Sequence, residues 1–107
     1  MKNNVNAMHI KNAPSTWNLL LYVAGLSPKS KRAFRNLQRI CEQHLAGRYR
    51  IKVIDLMKNP RIARDEQIVA IPTVVRKSPG AIRRVIGDLS NTELVLAGLQ
   101  IPLHESL

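Results

Sequence analysis

The chain has 107 residues, 45% of them hydrophobic, and carries a formal net charge of +10. That length suits one domain with a single core, and the apolar content argues against global disorder. The longest apolar run, Leu19 to Leu26, is too short to cross a bilayer, and the polar residues before it do not resemble a secretory signal. The lone Cys41 excludes an internal disulfide framework and is compatible with a reducing compartment. We therefore expect a cytoplasmic globular protein that does not span a membrane.

The first half of the chain predicts a strand and a long amphipathic helix. Residues 1–15 carry few apolar side chains and are predicted to form a mobile arm. The apolar run from Trp17 to Val23 is typical of a strand covered on both faces. Ser27 followed by Pro28 indicates a helix start, because the hydroxyl can cap the helix and proline fits its first turn. The predicted buried stripe of this helix comprises Ala33, Phe34, Leu37, Ile40, Cys41, His44 and Leu45.

A second strand and a short helix are predicted next. Apolar and charged residues alternate from Tyr49 to Asp55, which predicts a strand. A strand, a helix and a strand in this order form a right-handed unit with parallel strands. Asn59 and Pro60 then indicate the start of a short helix.

The remaining residues predict a hairpin and a final helix. Ile71-Pro72-Thr73 opens an apolar run, and Pro79-Gly80 turns the chain into a further strand. Ser90 and Glu93 have the spacing of a capping box. The predicted order is βαβαββα, an α/β arrangement with thioredoxin-like topology. The stretches DEQIVAIPTVV and TELVLAGLQI stay ambiguous, because β-branched residues crowd both and a helix in the second would contain Gly98.

The turn that would hold the cysteine pair of a redox enzyme offers no reactive group. Its residues, Ala24 to Ser27, supply no thiol, acid or base. Cys41 falls on the apolar stripe and is interpreted as a buried structural residue. Cys41 and His44 stand one helical turn apart, but a zinc site needs at least three protein ligands. Since no acids have catalytic spacing and no phosphate loop is present, we predict no catalytic residues, no cofactor and no metal.

Four cations flank the predicted hairpin turn, namely Arg76, Lys77, Arg83 and Arg84. A hairpin would gather them at one end, where they are either solvated or form a docking patch for an acidic protein surface. The net charge also permits binding of nucleic acid or of an anionic membrane surface. The basic residues are nevertheless spread through the chain, and only four aromatic residues are available for base stacking.

Several ordered motifs resemble the KaiB family of small clock-associated proteins. They are LYVAG with Pro28 and Ser30 after it, KVIDLMKNP, AIPT and RRVIGDLSN. The resemblance runs from Leu19 to Leu99 without an insertion. It implies a single domain over residues 16–101, followed by a tail at 102–107. It also implies a non-enzymatic regulator that binds the amino-terminal ring of the KaiC ATPase.

The resemblance further implies two alternative packings of one sequence. KaiB-like proteins keep the form of the first half, here through about Asp55, and rearrange the second half. The resting order is βαββααβ and usually assembles into a homotetramer, a dimer of dimers, whereas the thioredoxin-like monomer docks on KaiC. The resemblance favours the resting form in a crystal. Two such packings coexist only when their free energies differ by a few kcal/mol.

The resemblance and the hairpin cations together give the candidate residues. The partner-binding candidates are Arg32, Tyr49, Lys52, Arg76, Lys77, Arg83 and Arg84. The candidates for the rearrangement are Pro72, Gly87, Asp88 and Gly98. Pro72 holds the position of a proline that is often cis in thioredoxin-like domains, and Gly98 would be a glycine whose backbone freedom helps the resting fold.

Three features depart from the family pattern. The chain ends PLHESL instead of in an acidic tail, the hairpin turn is reduced to KSPG, and Gln100 stands where some members have an acid. These departures indicate a divergent member for which a KaiA partner is doubtful and stress adaptation is an alternative to daily timing.

Three other classes of function remain open. One is a nucleic-acid-binding module, which the scarcity of aromatic residues disfavours. The others are a thiol oxidoreductase, which lacks its second cysteine, and a sensor domain like those of histidine kinases.

Overall fold

The structure is a computed structural model in which residues 16–103 are described. The predicted arm, 1–15, and positions 104–107 of the predicted tail lie outside the described residues. Along the chain the elements are β1 (Trp17–Val23), α1 (Pro28–His44), β2 (Tyr49–Asp55), α2 (Pro60–Asp65), β3 (Thr73–Ser78), β4 (Arg83–Ile86) and α3 (Thr92–Leu99). Their order is βαβαββα, the thioredoxin-like order that the sequence predicts. It is not the resting order βαββααβ, which the resemblance favours for a crystal.

The four strands form one mixed sheet in the order β2-β1-β3-β4. β1 and β2 run parallel, whereas β3 lies antiparallel to both β1 and β4. One row across the sheet joins Ile51, Leu19, Arg76 and Arg83, and the next row joins Lys52, Leu20, Val75 and Arg84. Because neighbouring residues of a strand point to opposite sides, these two rows face opposite surfaces of the sheet.

The two faces of the sheet are covered unequally. α1 and α3 pack on one face, where Leu21, Leu37 and Leu99 are fully buried in the main core. α2 covers only part of the other face, because it is six residues long. A smaller cluster around Tyr22 and Val75 lies beneath it. The rest of this second face is therefore left to exposed strand residues.

α1 begins as its sequence predicts. Ser27 Oγ accepts a hydrogen bond from the Ser30 amide at 3.2 Å, and Pro28 is the first helical residue. The predicted stripe is buried with one exception, Phe34, whose side chain is 37% exposed. Phe34 follows the fully buried Ala33 directly, and the rotation of about 100° per residue in a helix carries it to the border of the stripe. Its prediction as a core residue is wrong.

The capping box predicted at the start of α3 is also wrong. Asn91 caps this helix, and its side-chain oxygen accepts a hydrogen bond from the Leu94 amide at 3.1 Å. The Ser90 amide instead donates to the Asp88 carboxylate at 3.0 Å. The helix therefore begins one residue later than the Ser90–Glu93 spacing indicates.

The two ambiguous stretches resolve in different ways. In the first, the strand begins only at Thr73, and Ile68 and Val69 belong to the connection after α2. The second forms α3, with Gly98 inside the helix. A Cβ at position 98 would lie 2.5 Å from Cγ2 of Val85, so the glycine lets α3 approach β4 more closely than another residue would.

Candidate functional site

The turn after β1 is fixed by hydrogen bonds, but it carries no group for redox chemistry. Asp55 Oδ1 accepts from the amides of Gly25 and Met57, both at 2.9 Å. Ser30 Oγ accepts from the Ala24 amide at 3.2 Å. The carboxylate and the hydroxyl at this end of the sheet are therefore occupied in holding the loop. The turn presents a shaped surface in the place where a redox protein has its thiols.

Cys41, the single cysteine of the sequence, is buried in the main core. Burial, with a smaller contribution from Glu42, raises the pKa of its thiol to about 12. Such a thiol stays protonated near neutral pH and is a poor nucleophile. Among residues 16–103, no group of three or more His, Cys, Asp or Glu side chains could hold a metal ion, and no helix is long and apolar enough to span a membrane.

The hairpin does not gather its four cations into one exposed patch. Lys77 and Arg84 lie on the face that α2 partly covers, whereas Arg76 and Arg83 lie on the face of α1 and α3. The alternation of side chains along paired strands separates them. Lys52, on β2, shares the face of Arg84.

Arg76 is the least exposed of these cations, with 4% of its surface accessible. Its Nη1 donates to Leu99 O at 2.8 Å and its Nη2 to Ala81 O at 2.6 Å, while Nε has no partner among the described residues. The guanidinium carbon lies 5.1 Å from the centre of the Trp17 ring, within the range of a cation–π interaction. Burial, and to a smaller extent Arg83, lowers the pKa of Arg76. In this packing Arg76 faces the protein interior.

The other hairpin cations are exposed but differ in their partners. Arg84 donates from Nη1 to Gln67 O at 2.9 Å and from Nη2 to Glu66 O at 2.8 Å. Lys77 Nζ pairs with the Glu66 carboxylate at 3.1 Å. The Arg83 side chain forms no hydrogen bond or ion pair with any residue between 16 and 103. Of the four hairpin cations, Arg83 is thus the one whose guanidinium group has no such partner within the described part of the chain.

Arg32 joins α1 to the loop before α3. Its Nε lies 3.5 Å from Asp88 Oδ2, and the neighbouring Asn36 side chain donates to Asp88 O at 2.8 Å. Hydrogen bonds from Ser90 and, to a smaller extent, the Arg32 charge hold the pKa of Asp88 below its usual value of 3.8. This partner-binding candidate and this rearrangement candidate are therefore in direct contact.

Tyr49 and Lys52 both lie on β2, at the edge of the sheet, but point to opposite faces. The Tyr49 hydroxyl donates to the Glu42 carboxylate, and this hydrogen bond raises the tyrosine pKa to about 12. Lys52 is exposed beside Arg50, in a groove of about 520 Å³ that both residues help to line. Neither cation pairs with an acid within the described residues, so both remain free for an external partner.

Three of the four rearrangement candidates, Pro72, Gly87 and Asp88, lie close together around the start of β3. The Ile71–Pro72 peptide bond is cis, and Pro72 O accepts a hydrogen bond from the Gly87 amide at 2.8 Å. Gly87 has a φ of +116°, a conformation that favours glycine. Asp88 follows directly, whereas Gly98 packs against β4 with a helical backbone.

An apolar groove that the sequence did not predict lies beside the β1–α1 turn. Its volume is about 360 Å³, and it is lined by Val23, Gly25, Leu26, Ser30, Lys31, Phe34, Arg35 and Val53. Leu26 is 83% exposed there. A leucine inside a turn, followed at once by a helix-start signal, was the one indication in the sequence that an apolar side chain is left at the surface.

Comparison with known proteins assigns the sequence to a family. The model of the KaiB domain family matches residues 20–101. The chain is 48% identical over 90 residues to the circadian clock oscillator protein KaiB of Thermostichus vulcanus, which covers 84% of this chain and 83% of that protein. It is 47% identical over 95 residues to the protein of the same name from Nostoc sp., which covers 89% and 87%.

Solved structures agree in fold at much lower sequence identity. The N-terminal domain of Synechococcus elongatus SasA superposes with a TM-score of 0.69 at 17% identity, covering 89% of this chain and 92% of that one. The oxidized mitochondrial thioredoxin 3 of Saccharomyces cerevisiae gives a TM-score of 0.62 at 18% identity, covering 90% and 88%. These likenesses show that the fold is thioredoxin-like. The family model matches most of this chain, and the two curated relatives are nearly half identical to it in sequence. The chain therefore belongs to the KaiB family.

Proposed function

We propose that the chain is a non-enzymatic regulatory protein that binds the amino-terminal ATPase ring of a KaiC-like protein in the cytoplasm. The observation that carries this proposal is its 48% identity with a circadian clock oscillator protein over 84% of the chain. The buried Cys41 and the turn without a thiol support a binding role over redox catalysis. The setting is a circadian oscillator or, given the departures in the tail and the hairpin turn, a stress-adaptation system.

The binding form in this proposal is the thioredoxin-like monomer, in exchange with a resting homotetramer. A partner shifts such an equilibrium only through contacts that differ between the two forms. Contacts in the second half of the chain meet this condition, since that half is the one that rearranges. We therefore propose Arg83 as a direct contact to an acidic side chain of the partner, because it is exposed and unpaired among residues 16–103.

Lys52 has a different part in the same proposal. It lies on β2, in the half that keeps its form, on the opposite face and near the opposite edge from Arg83. One flat partner surface cannot cover both residues. Lys52, together with Arg50, therefore contributes to the long-range attraction of an acidic partner and raises the association rate.

A binding experiment with charge-reversal variants tests the proposal. The purified chain is mixed with the KaiC-like ATPase of the same genome, and the complex is separated by size-exclusion chromatography and titrated. We expect co-elution, a loss of affinity of about tenfold or more for Arg83→Glu, and a smaller loss confined to the association rate for Lys52→Glu. Arg39→Glu makes the same change of charge at an exposed position of α1. It is the control for Arg83→Glu and should not cause the tenfold loss of affinity. The proposal is wrong if the unaltered chain forms no complex.

The net charge of +10 favours a second candidate, a module that binds nucleic acid. Single-stranded and double-stranded DNA of unrelated sequence are the probes. A nucleic-acid binder should lose affinity steeply and log-linearly with salt concentration for every sequence. Tight binding of this kind near physiological salt, without a complex with the ATPase, would favour this second function.

A further inference from the structure

α2 and α3 end in the same way, although they lie on opposite faces of the sheet. After α2, the amide of Gln67 donates to Arg64 O at 3.2 Å and that of Ile68 to Ala63 O at 2.8 Å. Gln67 itself has a left-handed backbone, with a φ of +55°. These bonds form a Schellman motif, which satisfies part of the free carbonyls at a helix end.

The end of α3 repeats this pattern. The amide of Gln100 donates to Ala97 O at 3.2 Å and that of Ile101 to Leu96 O at 2.8 Å. Gln100 has the same left-handed φ of +55° as Gln67. Both helices therefore end with a glutamine in a conformation that usually selects glycine.

Two arginines of the β3–β4 hairpin bind further carbonyls at these helix ends. Arg84 donates to Glu66 O and Gln67 O at the end of α2, at 2.8 and 2.9 Å. Arg76 donates to Leu99 O at the end of α3, at 2.8 Å. A cation at the carboxyl end of a helix is favourable, because the last carbonyls carry partial negative charge.

The register of the hairpin explains how one element reaches both helices. Arg76 pairs across the hairpin with Arg83, and Arg84 pairs with Val75. Arg76 and Arg84 thus occupy neighbouring rows and point to opposite faces of the sheet. The hairpin therefore lies between the two helix ends and contacts both of them through these two side chains.

We infer that Arg76 and Arg84 are positioning residues of the partner-binding form, which anchor α3 and α2 to opposite faces of the β3–β4 hairpin and do not contact the partner. This inference rests on the proposed function, in which the thioredoxin-like packing binds a KaiC-like ATPase. It reassigns two of the partner-binding candidates. Their guanidinium groups are already occupied by backbone carbonyls, and Arg76 is in addition covered by the Trp17 ring.

Hydrogen exchange of the free protein tests the anchoring directly. In Arg84→Gln, amides at Gln67 and Ile68 should exchange at least about tenfold faster, the size expected when a hydrogen bond from a charged group is lost. In Arg76→Gln, the same acceleration should appear at Gln100 and Ile101 instead. Arg83→Gln removes a cation from the same hairpin but should leave all four amides unchanged. If a substitution only lowered the stability of the whole domain, amide exchange would become faster at both helix ends together in every variant.

Conservative variants separate charge from geometry. Arg84→Lys keeps the charge near the end of α2, but an ammonium group does not offer the planar fork that bonds two carbonyls at once. We expect exchange rates at Gln67 and Ile68 between those of the unaltered chain and Arg84→Gln. Because Arg84 is exposed, this pair of variants keeps the test available if Arg76→Gln does not fold.

Binding to the KaiC-like ATPase gives the second readout. Arg76→Gln and Arg84→Gln should weaken binding by lowering the fraction of competent protein, with the salt dependence of the unaltered chain. Arg83→Gln should weaken binding and also reduce the salt dependence, as expected for a contact charge. The inference is overturned if Arg76→Gln and Arg84→Gln leave the helix-end exchange unchanged or alter the salt dependence as Arg83→Gln does. If no chain binds the ATPase, the proposed function fails, while hydrogen exchange still decides whether the arginines anchor the helices.

Discussion

Gln67 and Gln100 each hold a left-handed backbone conformation that L-residues with a side chain adopt at a cost of roughly 1 kcal/mol. Glycine avoids this cost, although it loses more conformational freedom on folding. We predict that Gln67→Gly and Gln100→Gly each raise the free energy of unfolding by about 0.5 kcal/mol or more. Denaturant titration of the purified variants measures the change.

Gln43 provides the matched control for these substitutions. It is exposed on α1, inside a regular helix. Gln43→Gly should lower the free energy of unfolding by up to about 1 kcal/mol, because glycine is a poor helix former. A loss of the same size at all three positions would contradict the role assigned to the left-handed backbone.

The burial of Arg76 illustrates what a single sequence can and cannot show. Its place in a hairpin with Lys77, Arg83 and Arg84 follows from the Pro79-Gly80 turn, and the hairpin is present. Which face each cation takes depends on the register between β1, β3 and β4, and a shift of one residue would exchange the two faces. Register is set by pairing with β1, far away along the chain. The candidate residues could therefore be named, but not sorted into buried and exposed.

At the scale of elements, Asp88 links α1 to the loop before α3. Hydrogen bonds from Ser90 and, to a smaller extent, the Arg32 charge lower the pKa of Asp88. The ionised carboxylate therefore stabilises the folded chain at pH values above the unfolded-chain pKa of 3.8. This stabilisation is lost as the pH falls from that value through the lower pKa of the folded chain. We predict that Asp88→Asn is less stable than the unaltered chain at neutral pH and loses less stability on acidification. Urea unfolding at a series of pH values measures both effects.

Asp65 provides the matched control for the substitution of Asp88. It is exposed on α2, and its side chain forms no hydrogen bond or ion pair with another residue of the 16–103 range. Asp65→Asn should therefore change the free energy of unfolding at neutral pH by less than Asp88→Asn does. If Asp88→Asn has the same pH dependence as the unaltered chain, the loop is not held by the Asp88 carboxylate.

The contact between α3 and β4 gives a prediction for Gly98. A Cβ there would lie 2.5 Å from Val85 Cγ2, and overpacking of this kind costs about 1–3 kcal/mol, against a gain in helix propensity of about 1 kcal/mol. Gly98→Ala should therefore destabilise this packing in the presence of Val85. In a Val85→Ala background the contact is absent, and the same substitution should be neutral or stabilising. A double-mutant cycle by denaturant unfolding measures the coupling, and equal effects in both backgrounds would contradict it.

The elements of the first half follow closely from local sequence, whereas those of the second half do not. Ser27, Pro28 and the apolar stripe specify α1 over five turns, and only Phe34 at the border of the stripe was misplaced. α2 and α3 are six and eight residues long. Helices this short are marginal by themselves and depend on tertiary contacts such as those of Arg76 and Arg84. Local sequence predicts the start of α2 at Asn59 and Pro60 correctly, whereas it places the cap of α3 at Ser90 instead of Asn91.

At the scale of the whole molecule, the proposed equilibrium between a monomer and a resting tetramer couples binding to concentration. Mass action favours the tetramer at high protein concentration, whereas a partner that binds only the monomer draws the population the other way. Reversing a 1:99 mixture takes a differential affinity of about 5.5 kcal/mol, so a tight partner can invert the population without a change in sequence. The history of the protein sample should then control how fast the complex forms.

We predict that protein held dilute before mixing binds the KaiC-like ATPase faster than protein held concentrated, at the same final concentration. The concentrated sample must first dissociate and rearrange, so its complex should form in an additional slow phase, while the dilute sample has already passed that step. Samples are stored at concentrations that span a roughly hundredfold range and reach the same final concentration on stopped-flow mixing with the ATPase. The rate of complex formation is then compared between them. Varying the storage concentration of the ATPase is the control and should leave the slow phase unchanged. Identical kinetics for every storage concentration of this chain would show that assembly does not compete with binding, and would contradict the proposed equilibrium.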